Sequence, residues 1–149
     1  MKAYLSELLT GSLTRMGKDI DALSHEALDA SPGGKARAGY DYLHEVAVVN
    51  HRIAARMKGE EPGEWPFGES WAVAPAEMRN KDAMKTSLEA SVQAVIDAIG
   101  DNPERMITTP EGDRPAYGMA VFAAIHMNYH DGQLNLVQGL HGDPEMNWM

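Results

Sequence analysis

The chain has 149 residues, 44% of them hydrophobic and 23% charged, which suits one globular domain over residues 1–149 with its own core. Thirteen basic against 22 acidic residues give a formal net charge of −9, which argues against nucleic acid and anionic membrane surfaces as partners. Cysteine is absent, so disulfides, thiolate metal sites and cysteine nucleophiles are excluded.

The periodicity predicts four amphipathic helices and no strand. The first runs from about Lys2 to Leu23, with Leu5, Leu8, Leu9, Leu13, Met16, Ile20 and Leu23 spaced by three and four. A short helical piece, His25–Ala30, precedes Ser31-Pro-Gly-Gly34. The second long helix runs from about Ala36 to Lys58 and stops at Gly59. Its expected inner face holds Tyr40, Leu43, His44, Ala47, Val48 and His51. The connection Glu60–Arg79 is long, with three prolines, Trp65, Phe67 and Trp71, and is expected to pack over one end of the bundle. The third long helix runs from the N-cap candidate Asn80 to Ile99, before Gly100. Its stripe is Met84, Leu88, Val92, Val95 and Ile99. Asp101–Arg114 reads as a polar connection, and the fourth long helix runs from about Pro115 to Leu140. Such elements make an all-α four-helix bundle. No segment reads as a signal peptide or a membrane span, so cytoplasm is the default compartment.

The most informative feature lies in the fourth helix. His126 and His130 stand one turn apart in a largely apolar stretch, on a face shared with Met119, Phe122, Gln133 and Val137. That face is expected to look inward, and two inward imidazoles suit a divalent metal ion. The spacing is equally met by two core-edge histidines bonded to neighbours. Gly132 beside the pair suggests close packing or an approaching ligand. Gln133 is a candidate for orienting a ligand or bonding a substrate. His44 and His51 compete as a third ligand; two turns part them, about 10.8 Å of rise, and periodicity does not choose between them.

Tyr42-Leu-His-Glu-Val-Ala-Val-Val-Asn-His-Arg-Ile-Ala-Ala-Arg-Met-Lys-Gly59, followed by His126-x-x-x-His130-Asp-Gly-Gln-Leu134, resembles the DinB/YfiT-like superfamily. The likeness spans nearly the whole chain in helix order and loop placement. It implies a variant of the up-and-down four-helix bundle and a divalent ion, Zn or Ni, on His44, His126 and His130. It also implies a homodimer acting on a small molecule, with relatives that include thiol S-transferases. Asp131 follows His130 where relatives often carry Arg.

These readings lead to a metal-dependent transfer of a low-molecular-weight thiol to an electrophilic small molecule. The absence of protein cysteine fits, because the cofactor would bring the sulfur. Metal-assisted hydrolysis is the alternative, with Asp41 or Glu45 as a candidate base, both expected to face solvent. A non-catalytic metal-binding stress protein is the third reading. Trp65 and Trp71 mark the long loop as a candidate site mouth.

Overall fold

The structure, a computed structural model, describes residues 1–147. Four long helices carry it: α1 (Lys2–Ala22), α3 (Gly39–Lys58), α4 (Lys81–Ile99) and α5 (Ala116–Leu140); the short α2 (His25–Asp29) follows α1. The fold is an all-α helical bundle, as the periodicity predicts. No helix among the described residues is long and apolar enough to cross a membrane.

The helix ends follow from local chemistry. Ser24 caps α2 by accepting from the Ala27 N–H, and Asn80 caps α4 by accepting from the Asp82 and Ala83 N–H groups. Gly59 ends α3 in the left-handed conformation, φ 79°, which a residue with a Cβ rarely adopts. The core is filled by Leu5, Leu9, Met16 and Ile20 of α1, Leu43, Val46 and Ile53 of α3, Met84, Leu88 and Val95 of α4, and Ala120, Met127 and Leu134 of α5. At the start of α3 the backbone passes so close to α2 that a Cβ on Gly39 would lie 2.8 Å from Leu28 Cδ2.

The helices do not follow the simple up-and-down order. α1 packs on α5 and α4, and α3 packs on α4 and α5, so α1 and α3 lie diagonally although they are consecutive long helices. The connection through α2 therefore crosses an end of the bundle. This order places α3 beside α5.

Two features differ from the sequence expectation. The polar connection before α5 contains a hairpin, β1 (Met106–Thr109) paired antiparallel with β2 (Gly112–Pro115). Alternation is weak there because only Ile107 and Thr109 of β1 face inward and none of β2 is buried. Arg105, just ahead of it, donates to the Met57 carbonyl at 2.9 Å and to the Ala98 and Ile99 carbonyls, holding the C-terminal ends of α3 and α4 with one cation. The long 60–79 connection runs along α3 rather than over a bundle end. Arg52 donates to the carbonyls of Pro62, Gly63 and Glu64, Phe67 meets the His44 ring edge-on, and Asp41 accepts from the Ala74 N–H at 2.8 Å. Ala72 and Ala74 of this connection are themselves buried.

Candidate metal centre

α3 and α5 meet where Glu45 faces His126 and His130. Glu45 Oε1 lies 3.6 Å from Nε2 of each histidine, and the two Nε2 atoms are 3.1 Å apart. The three ligand atoms lie within 4.8 Å of one another, a grouping that could hold a metal ion. His130 is 1% exposed, while His126 and Glu45 are half-buried.

Neighbouring side chains aim these atoms. Gln133 Oε1 lies 2.7 Å from His130 Nδ1. With that oxygen as acceptor, Nδ1 carries the hydrogen and Nε2 presents its lone pair to Glu45 and His126. Tyr42 stacks on the His130 ring at 5.5 Å, and Phe122 stacks on His126 at 6.1 Å. Arg37 pairs with Glu45 Oε2, leaving Oε1 directed at the imidazoles. The Arg37 guanidinium itself lies over the rings of Tyr42, 4.7 Å away, and Trp71, 5.0 Å away. His126 Nδ1 is buried and has no hydrogen-bond partner.

The electrostatics agree with the geometry. The close imidazoles of His126 and then His130, with Arg37 assisting, hold the Glu45 carboxyl well below the usual carboxylate range, against the opposing effect of burial. A carboxylate beside two imidazoles is the donor set of a borderline divalent ion, with N and O ligands and no sulfur.

His44 does not join this group; Glu45 stands where the third histidine was expected. The reason is helical phase. The buried stripe of α3 is Leu43, Val46, Ala47, Asn50, Ile53, Ala54 and Met57, so the expected inner face was turned by roughly one residue, or about 100°. His44 instead faces the long connection, against Phe67, and burial lowers its pKa. His51 is exposed. Asp41 anchors the connection, accepting from the Ala74 N–H and from Arg79 Nη2 at 2.7 Å, and is buried rather than solvent-facing. Glu45, expected to face solvent, faces α5.

On α5, Met119, His130 and Val137 are buried as expected, but Phe122 is 53% exposed. The histidine stripe lies at the edge of the buried face, whose centre is alanine-rich: Ala116, Ala120, Ala123 and Ala124. Gly132 is exposed, and a Cβ there would meet nothing within 4 Å, so it marks no close approach. The sequence reading missed Arg37 and Tyr42 as parts of this centre, since nothing in the spacing links a residue ahead of α3, or one in its first turn, to a histidine on α5.

A cleft of about 640 Å³ opens beside the centre. It begins one turn from Glu45, at Val49, and one turn from His126, at Phe122, and continues to Arg56 on α3 and to Arg114 and Pro115 at the hairpin. Trp65 lines it, with the Arg52 guanidinium 5.6 Å from its ring centroid. α3 and α5 therefore run antiparallel along the cleft.

No family model matches the sequence, and no curated protein matches it. The fold is similar to a solved structure described as the conserved protein of locus from Enterococcus faecalis. The TM-score is 0.70 at 15% identity, over 94% of this chain and 96% of that one. At that identity the likeness concerns the fold alone.

Proposed function

We propose that this chain is a divalent-metal-dependent enzyme, of the kind its DinB/YfiT-like resemblance implies, that transfers a low-molecular-weight thiol to an electrophilic small molecule. The observation that carries the reading is the convergence of Glu45 Oε1 and the two Nε2 atoms of His126 and His130, one helical turn from a cleft. Glu45, His126 and His130 would hold the ion, Zn or Ni. The ion supplies Lewis acidity that favours the ionised form of a bound thiol near neutral pH.

The chain's own groups have separate tasks. Gln133 fixes the His130 tautomer, and Arg37 fixes the carboxylate. Phe122 and Trp65 offer apolar walls that limit water at the cleft. Thiol transfer is favoured over hydrolysis because hydrolysis needs a free general base. Asp41 is occupied by the Ala74 N–H and Arg79, and Glu45 belongs to the ligand group. The sequence also contains no cysteine to supply the sulfur.

The test is turnover of a chromogenic electrophile by Zn- or Ni-loaded protein with a panel of thiols, beside Glu45→Gln and His130→Ala. Thiol-dependent turnover lost in both variants is expected. Turnover without thiol would instead support hydrolysis, and inactivity with every thiol would overturn catalysis by transfer. A homodimer belongs to the same reading, supported by the exposed apolar residues Ile125, Tyr129, Leu136 and Leu140 on α5. Sedimentation equilibrium reporting a monomer at micromolar concentration would refute it.

A further inference from the structure

The cleft beside the metal centre carries a charge pattern that the rest of the chain does not. Acidic residues outnumber basic ones by 22 to 13 in the sequence, yet three arginines and one glutamate line this cleft. Arg52 is committed to the carbonyls of Pro62, Gly63 and Glu64. Arg56 and Arg114 differ: among the described residues, neither guanidinium has a hydrogen bond, an ion pair or a ring contact. Glu111 is drawn to the Thr109 hydroxyl, 3.2 Å away. An acidic chain that leaves two cations unpaired at one end of a cleft has a local positive field there.

The layout grades from reactive to cationic. On α3 the stripe that leads from Glu45 into the cleft is Val49, Arg52 and Arg56, at intervals of four, three and four residues. Eleven residues of helix separate Glu45 from Arg56, or roughly 16 Å of rise. On the facing side the order is His126, Phe122, Met119, then Pro115 and Arg114. The middle of the cleft is apolar, with Val49, Ile53, Met119 and Phe122. Its volume falls within the range that takes small organic ligands.

We infer that this cleft binds an elongated small molecule with an apolar middle and a terminal anion, carboxylate or phosphate, held by Arg56 and Arg114. Its other end reaches toward Glu45, His126 and His130. The inference rests on the proposed metal reading only for which end of the ligand reacts; the anion site stands on the arginines. It specifies the substrate class: a neutral compound of the same length lacks the distal contact.

The experiment measures binding of octanoate, octyl phosphate, octanol and octylammonium by calorimetry and tryptophan emission, with and without bound Zn²⁺. The proteins are wild type, Arg56→Gln/Arg114→Gln and Trp65→Phe. Both anions should bind at least tenfold more tightly than octanol, and octylammonium most weakly. The double variant should lose that tenfold preference while keeping its octanol affinity and its Zn²⁺ stoichiometry. The stronger of the two anions identifies the head group as carboxylate or phosphate. Ligand-induced emission changes should shrink in Trp65→Phe. Equal binding of octanoate and octanol, an unchanged double variant, or no binding of either anion overturns the inference. Anion binding in a protein that takes up no Zn²⁺ would uphold the cleft and refute the metal centre.

Discussion

Replacing Asp131 by Asn should stabilise the protein at high pH and leave it unchanged at low pH. Asp131 is 8% exposed at the α1–α5 contact, where its carboxyl meets that of the fully buried Asp19. Asp19 accepts from Asn147 Nδ2 at 2.7 Å and from Asn135 Nδ2, so donors already surround it. Asp131 has no such help; its Oδ1 is buried without a partner. Burial first, then the hydrogen bond and charge of Asp19, push its pKa from 3.8 to about 7, with Arg15 opposing. The folded state therefore keeps a proton that the unfolded chain releases above pH 3.8. Stability contributed by the neutral form is full below that pH, falls as pH rises toward 7, and is flat above it. A gap of about three units at 1.36 kcal/mol each puts the cost above pH 7 at roughly 4 kcal/mol. Asparagine keeps the donor toward Asp19 and cannot ionise. Urea unfolding followed by circular dichroism at pH 4, 6 and 8, in chelator and again with Zn²⁺, should show the variant gaining on wild type by a few kcal/mol across that range. Parallel pH profiles for the two proteins, or a variant less stable at pH 8, would refute the shared-proton account.

Four further outcomes are expected. Metal content by elemental analysis should fall to background in Glu45→Ala and His130→Ala but stay near wild type in His44→Ala; metal loss in His44→Ala with retention in Glu45→Ala would restore the three-histidine set. Arg105→Met should lower stability by about 2–4 kcal/mol in urea titrations, because it strips a cation from the ends of two helices; a change within about 0.5 kcal/mol would show the cap to be idle. Gly39→Ala should destabilise by about 1–3 kcal/mol, since its Cβ meets Leu28 Cδ2 at 2.8 Å and the Leu28 backbone at 3.3 Å. Gly132→Ala should stabilise by up to about 1 kcal/mol, as open space surrounds it in a helix. Thermal melts of the pair would rank them, and the reverse order would contradict the packing.

The bundle was legible because four apolar stripes with spacing of three and four leave little choice of element. Two of the three residues of the centre were legible too, since His126 and His130 need only one helix to bring them together. The third ligand was not. On α3 an inner face containing His44 and one containing Asn50 have similar apolar content, and helix phase is decided by packing against α4 and α5. Asn50 is buried against Ser91 of α4, its Nδ2 3.2 Å from the hydroxyl, and that contact helps turn Glu45 toward α5. The hairpin escaped notice because polar residues dominate it, and Arg37 because its partners lie on other elements.

The position of Glu45 also bears on how the chain is closed. The candidate ligands on α3 and α5 sit at opposite ends of a segment that includes the whole of α4 and the hairpin. An ion gripped by both helices would be a removable cross-link around a loop of roughly 80 residues, a length for which a covalent bridge restricts the unfolded chain by about 4–5 kcal/mol in the loop-entropy view. A protein without cysteine would then have a reversible clasp in place of a disulfide, fastened by metal supply instead of by oxidation.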